Sequence, residues 1–314
     1  MMKSVLTITL NPAIDKTVIV DRFVVGGLNR IEPIPQLDPG GKGVNVAKVL
    51  KNFDVPVIAT GFVAGKQGEH LLSSLEKRGI ATSFIKVDGE TRTNLKIVDK
   101  ANKQTTEVNE AGFQVSVCDL DSLFNHLSRL YDHTSHVVLG GSIPLGAPKD
   151  IYQQLIEHAK NHQVKIILDA DGEAFRLGVK AGPFAIKPNL YELEQFVDQK
   201  LPTYEDIEKA ARNLICDYNI QLVVVSLGKE GALFITNESS VFADALSIKA
   251  KSSVGAGDSM VAMIIYSLVK NLALEELAIW SVTAGSVTAS KSGTEVCSLE
   301  EVAASLDKIN VKHL

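Results

Sequence analysis

In the stretch "SSVGAGDSMVAMIIYSLV", residues 252–269, Asp258 is the first charged group on an apolar run that opens behind Gly255, Ala256 and Gly257. A helix starting there presents unpaired backbone N–H groups and a partial positive charge at its mouth. An aspartate at that place can simply cap the helix. The small residues add what a cap does not need: their N–H groups can converge on an anion and cradle the charge of a transferring phosphoryl group. Asp258, held in that positive field, is expected to stay ionised at neutral pH and to take the proton of an attacking alcohol. In a loose transition state this proton leaves late, so a weak base in the right place is enough.

Other pieces offer partners for that chemistry, each with a plainer reading beside it. "PGGKGVNVAKVL" (39–50) opens a helix behind glycines that let a ligand approach the backbone. Gly41 would allow the approach, Lys42 would hold an anion and Asn45 a hydroxyl; the plain alternative is a turn before a helix. It is neither a Walker loop nor G-x-G-x-x-G. Asp15, in "TLNPAIDKT", could accept sugar hydroxyls or close an Asx-turn. "TRTNLKI" alternates Arg92, Asn94 and Lys96 along one strand face. That face could grip a phosphate, bidentately through Arg92, or be a solvated edge. In "KPNLYELEQF", Asn189 and Glu192 have capping-box spacing and could equally hold a magnesium–phosphate complex through water. "SLGKEGAL" (226–233) reads as a hairpin loop or a nucleotide-phosphate ledge, and "GGSIPLG" places Ser142 in a small-residue loop.

These pieces need elements to position them, and most follow apolar strands. "SVLTITL", "VPVIATGFV", "HVVLGG", "VKIILDA", "FAIKPN" and "QLVVVSLG" read as strands. Helical spacing covers "VNVAKVLKNF", "GEHLLSSLEKRG" and residues 120–131, 149–161 and 205–218. It returns at 257–270, 274–290 and 298–307, and a hairpin is expected over 231–244. Alternating strands and helices imply a mostly parallel sheet covered on both faces, with ligands at the carboxyl ends of its strands. Two excursions break the rhythm. The runs 16–25 and 30–37 flank Gly26 and Gly27, and 91–99 and 103–110 flank a turn at 100–103; together they predict a small separate sheet.

Composition narrows the function class. A chain of 314 residues, 45% hydrophobic and 22% charged, can bury a sizeable core. Net charge is −5 and no Lys/Arg tract occurs, which disfavours nucleic acid as a partner. The cysteines Cys118, Cys216 and Cys297 lie far apart without C-x-x-C, which suits a reducing cytoplasm. The N-terminal apolar run is too short for a signal peptide, and the longest apolar stretch falls short of the roughly 18 residues of a membrane helix. His158 and His162, four apart, are expected as exposed helix residues rather than a metal pair, and Trp280 as packing.

Taken in order, "NPAID", "GGKGVN", "TRTN", "GSIP", "KPNxxE", "SLGKEG" and "VGAGDS" resemble the ribokinase-like sugar kinases of the phosphofructokinase-B family, over essentially the whole chain. The pair "VGAGDS" and "GGKGVN" carries most of the likeness. The resemblance implies a doubly wound, mostly parallel α/β sheet in one domain (1–314), with a small β lid from about 15–37 and 90–110. The lids of two subunits would clasp in a homodimer. It implies that Asp258 is the catalytic base and that Gly255, Ala256 and Gly257 form the anion hole. Lys187, Asn189, Ser226, Leu227, Gly228, Lys229, Glu230, Gly231 and Gly257 would contact ATP, and Glu192 would hold Mg²⁺ through water. Asp15, Gly41, Lys42, Asn45, Arg92, Asn94, Ser142 and Asp258 would contact a sugar phosphate. Some relatives bind a monovalent cation with an acid six residues before the base; Ser252 stands there, a departure that leaves this cation open.

"VGGLNR", with Gly27 where fructose-6-phosphate-using members tend to carry lysine, points to D-fructose 1-phosphate as acceptor. So do Lys42 inside the glycine motif, "TRTNLK" and "TTEVNEAG". Tagatose 6-phosphate and fructose 6-phosphate are the alternatives within the family. A non-catalytic sugar-phosphate-binding protein, or an enzyme for an unphosphorylated acceptor such as ribose, would need fewer of these groups.

Overall fold

The structure is a computed structural model and describes residues 3–32, 34–252 and 254–314. Its strands are β1 (Ser4–Thr9), β2 (Ala13–Val20), β3 (Gln36–Gly40), β4 (Val57–Ala64), β5 (Ala81–Val87), β6 (Arg92–Asp99) and β7 (Gln104–Asn109). They continue with β8 (Thr134–Gly140), β9 (Lys165–Asp169), β10 (Ala185–Ile186), β11 (Leu222–Ser226), β12 (Gly231–Ile235), β13 (Ser240–Asp244) and β14 (Val311–His313). The helices are α1 (Lys42–Asn52), α2 (Gly65–Lys77), α3 (Val117–Tyr131), α4 (Ile151–Lys160) and α5 (Gly172–Lys180), then α6 (Leu190–Val197), α7 (Tyr204–Tyr218), α8 (Ala256–Lys270), α9 (Leu274–Ala289) and α10 (Leu299–Ala303).

Ten strands form one sheet in the order β14-β13-β12-β11-β10-β9-β8-β1-β4-β5. It is parallel from β5 through β11 and antiparallel from β11 to β14. Successive residues of its central strands enter opposite cores. Leu6, Ile8, Val137, Leu139, Val223 and Val225 belong to one core, with α3, α4, α5 and α7. Val5, Val138, Leu222 and Val224 belong to the other, with α1, α2, α8 and α9. Burial of both faces is why these strands read as continuous apolar runs.

The other sheet has the order β3-β2-β6-β7, with β2 antiparallel to β3 and parallel to β6. Its first hairpin is centred as expected on Gly26 and Gly27, with Asp15 opposite Asp38. Both strands are shorter than the alternating runs suggested, and each is displaced along the chain away from the turn. Residues 24–28 instead make a turn, tied by Gly27 N–H to the Val24 carbonyl and by Asn29 to Val24.

Three elements escaped the sequence reading: β5, α5 and β14. "ATSFIKV" is partly buried along most of its length and lacks a clean alternation. "GEAFRLGVK" carries two glycines in nine residues, which weakens helical propensity. β14 is three residues long. The histidine pair needs correction. His158 and His162 are half-buried, and their rings pack with Tyr131, His158 also meeting Phe124 edge-on. No group of three or more His, Cys, Asp or Glu is placed to hold a metal ion among the described residues. Trp280 packs against Tyr266 beside the second core.

Candidate active site

The carboxyl ends of β1, β8, β9, β10 and β11 share one edge of the main sheet. The chain leaves them at Asn11, Ser142, Asp169, Lys187 and Ser226. α8 opens at this edge. Gly255 precedes it with φ +78°, a left-handed turn that favours glycine. The first helical bond, Ser259 N–H to the Gly255 carbonyl (2.8 Å), leaves the N–H groups of Ala256, Gly257 and Asp258 without intrahelical acceptors. A cleft of about 670 Å³ runs past this mouth. Lys42, Asp169, Lys187, Asn189, Glu192 and Asp258 line it, with Ser226, Gly228, Lys229 and Gly231 from the turn after β11.

Asp258 does not serve as a cap. Its Oδ2 accepts Nδ2 of Asn45 at 2.8 Å, and the residue is 7% exposed. Burial, reinforced by the nearby Asp169 carboxylate, pushes its pKa from 3.8 to about 6, against the pull of Asn45, Lys42 and Lys187. Burial thus outweighs the helix field and moves the pKa up rather than down. At pH 7 it is still largely ionised, but it titrates close to neutrality.

Asp169 is the residue that the sequence reading missed. It ends β9 at 3% exposure, and its Oδ1 faces Nζ of Lys42 at 3.1 Å and Nζ of Lys187 at 3.4 Å. Burial opposes its charge, yet the two ammonium groups hold its pKa below the ordinary value. Burial likewise opposes the Lys42 charge, and Asp169 overturns that, leaving Lys42 above its usual range. The available signal was a carboxylate closing an apolar strand, "VKIILDA", in a fold whose ligands gather at strand ends.

Asn189 and Glu192 form the capping box of α6: Asn189 N–H donates to Glu192 Oε2, and Glu192 N–H to Asn189 Oδ1, each at 2.8 Å. The cap engages Oε2 of Glu192, whose pKa burial raises. Leu227 and Glu230, expected at the nucleotide, do not line the cleft. Leu227 packs against the first core, and Glu230 accepts the Tyr204 hydroxyl at 3.4 Å.

The small sheet supplies a second polar group. Asp15 accepts Nδ2 of Asn94 at 3.0 Å and Nζ of Lys96 at 2.9 Å, with both members of the ion pair buried. Gly40 makes room for it; a Cβ there would stand 2.7 Å from the carboxylate. Arg92 lies on the same strand face as Asn94 and Lys96. It donates to the Asn11 carbonyl from Nε and Nη2, to Ser142 Oγ from Nη2 and to the Glu110 carbonyl from Nη1. Four of its five N–H groups are therefore engaged, so the bidentate phosphate grip expected from sequence requires Ser142 or Glu110 to yield. The amide oxygens of Asn11 and Asn94 are buried without a partner, acceptors suited to ligand hydroxyls. Asn11 joins Asp169 as a site residue absent from the sequence-based set, and Lys96, placed by sequence on the phosphate-gripping face, instead holds Asp15. The halves meet along 40–45, where Gly40 touches Asp15 and Asn45 holds Asp258. Gly41 caps α1 with φ +109° and lies against Thr9 rather than in the cleft.

Comparison with known proteins places this geometry. The model of the pfkB family carbohydrate kinases matches residues 8–301. A Bacillus subtilis protein named 1-phosphofructokinase is 38% identical over 92% of this chain and 94% of its own. One of the same name from Borreliella burgdorferi is 34% identical over 98% of each. Among solved structures, phosphofructokinase-2 from Escherichia coli in complex with potassium superposes with a TM-score of 0.92 at 30% identity, covering 98% of this chain and 99% of that one.

Proposed function

The chain belongs to the pfkB family of carbohydrate kinases, and on that premise we propose that it is an ATP-dependent 1-phosphofructokinase. It transfers the γ-phosphoryl group of ATP to the 6-hydroxyl of D-fructose 1-phosphate and releases fructose 1,6-bisphosphate and ADP. The observation that carries this reading is Asp258, buried at the α8 mouth, held by Asn45 and flanked in one cleft by Lys42 and Lys187.

Asp258 takes the proton of the 6-hydroxyl as the phosphoryl group arrives. A base with pKa about 6 is ionised at working pH and close enough to it for efficient transfer. The N–H groups of the α8 mouth and the two ammonium groups stabilise charge on the migrating group in a water-poor cleft. Arg92, Asn94, Asp15 and Ser142 hold the sugar phosphate, and the turn at 226–231 holds the nucleotide. Mg²⁺ enters with ATP. Among the described residues lining the cleft, Glu192 is the carboxylate besides the base Asp258 and the lysine-paired Asp169, a donor set that suits an ion keeping most of its waters. When bound, that ion neutralises phosphate charge.

The lid carries exposed apolar side chains, Val25 at 87%, Leu28 at 78% and Ile34 at 88%. Such a patch favours a second copy of the chain clasping lid to lid. No helix among the described residues is long and apolar enough to cross a membrane, and the reading places the enzyme in the cytoplasm, where ATP is supplied.

A panel of ketoses and ketose phosphates, compared by kcat/KM with MgATP, tests the assignment. D-Fructose 1-phosphate is expected to lead tagatose 6-phosphate, fructose 6-phosphate and free fructose. Preference for another phosphate overturns the substrate; ADP release with none of them overturns the kinase in favour of a sugar-phosphate-binding protein.

A further inference from the structure

We propose that Asp169 is a positioning residue that couples the two substrate sites: one buried carboxylate oxygen fixes Lys42 on the sugar side and Lys187 on the nucleotide side. The inference rests on the kinase reading and deepens it. The two lysines come from unrelated elements, the first residue of α1 and the residue after β10. Both Nζ atoms converge on Oδ1 of Asp169, at 3.1 and 3.4 Å. Two ammonium groups this close repel one another unless an anion lies between them, and Asp169 is that anion.

The surroundings hold the carboxylate still. Its own carbonyl accepts Gly141 N–H at 3.4 Å, and the Gly141 carbonyl accepts the Tyr152 hydroxyl at 2.9 Å. The N–H of Lys187 donates to the Leu168 carbonyl at 3.2 Å, fixing the base of that side chain beside Asp169. Lys42 keeps 31% of its side chain exposed, whereas Lys187 keeps 8%. Lys42 can therefore swing towards an arriving phosphate while Lys187 stays. Each lysine competes for the same oxygen, so losing one tightens the hold on the other.

The charged groups acting on Asp258 are Asp169 from β9, Lys42 and Lys48 from α1 and Lys187 from beyond β10; Glu192 of α6 faces the two lysines of the cleft. Removing the Asp169 charge leaves Asp258 among cations, which favours its ionised form.

Asp169→Asn, Lys42→Met and Lys187→Met test the coupling by steady-state kinetics with each substrate varied. Calorimetry with ADP and with D-fructose 1-phosphate gives the same comparison without turnover. Asp169→Asn is expected to raise KM for both substrates by roughly tenfold or more, the scale of a misplaced charge-assisted hydrogen bond, and to move the acid limb of kcat/KM below that of the wild type. The lysine variants extend the test should the Asn variant fail to fold. Lys187→Met is expected to raise KM for the sugar phosphate as well as for ATP, and Lys42→Met to raise KM for ATP as well as for the sugar phosphate. Lysine variants that each affect only their own substrate overturn the proposal, as does an Asn variant with both constants and the acid limb unchanged. A wild-type protein inactive on every ketose phosphate overturns the kinase reading instead, and the binding constants then decide the coupling.

Discussion

The floor of the small sheet and the mouth of α8 are both dense in charge, but they treat it in opposite ways. On the small sheet, Asp15 is closed by Asn94 and Lys96, and Arg92 spends four N–H groups on fixed oxygens. At the α8 mouth, Asp258 has one hydrogen-bond donor, lies near a second carboxylate and is lifted to about 6. Groups that recognise a ligand can be satisfied in advance, because recognition needs a fixed shape. A group that must change its charge during reaction gains from being held where neither protonation state is strongly preferred.

The largest expected effect breaks the mouth. Asp258→Asn removes the base and is expected to lower kcat by about 10²–10⁴. The same change is expected to stabilise the fold. The folded pKa of Asp258 lies above its ordinary value, so the stability tied to its protonated form is complete below pH about 3.8 and is lost as pH rises through about 6. Above that window the buried charge costs roughly 3 kcal/mol, at 1.36 kcal/mol per unit, and an amide removes the cost while still accepting from Asn45. Urea unfolding of both proteins should give equal stability near pH 4 and a growing advantage for the variant up to pH 7. A variant that turns over normally, or is less stable at pH 7, would erase the contrast.

The next effect has the opposite sign. Lys96→Met leaves the Asp15 carboxylate buried with Asn94 as its remaining side-chain donor among the described residues, and breaking a buried ion pair on one side costs about 3–5 kcal/mol. Unfolding midpoints measured at pH 7 should fall well below those of the wild type. A Lys96→Met protein as stable as its parent would mean that the floor is not satisfied in the way the distances imply.

Sequence made the pieces legible more readily than their joints. The alternation of Arg92, Asn94 and Lys96 set one strand face, and that face is where Asp15 is held. "VGAGD" located the helix mouth because glycine at positive φ and a first-turn carboxylate are local requirements. Asp169 could not be singled out in the same way. Its meaning lies in Lys42, 127 residues away in the chain, and in a depth of burial that no window of sequence contains. The raised pKa of Asp258 was not legible for the same reason: the helix mouth is visible locally, whereas desolvation and the Asp169 charge are tertiary. The strand β5 was missed because it has no clean alternation, and the helix α5 because it is short and carries two glycines; each is fixed by the core that it covers.

The smallest effect sharpens the contrast by testing whether redundancy, rather than burial alone, makes the small sheet robust. Asp38 lies opposite Asp15 in the β2–β3 register, yet it has more help. Its Oδ2 accepts Gln36 Nε2 and the Thr294 hydroxyl, each at 2.6 Å, and Oδ1 faces Arg78 at 3.4 Å. Thr294→Val keeps the shape of the side chain and removes one donor of three. The carboxylate is not stranded, so the loss should be about 1 kcal/mol, the net value of an ordinary hydrogen bond, with kcat unchanged. Thr294 belongs to the segment that also brings Val296 to within 3.9 Å of where a Cβ on Gly255 would stand, so a change in kcat would reveal that this segment holds the α8 mouth in place. A stability loss as large as that of Lys96→Met would instead mean that the number of donors does not decide the cost, and that Asp38 and Asp15 are equally exposed to losing any one of them.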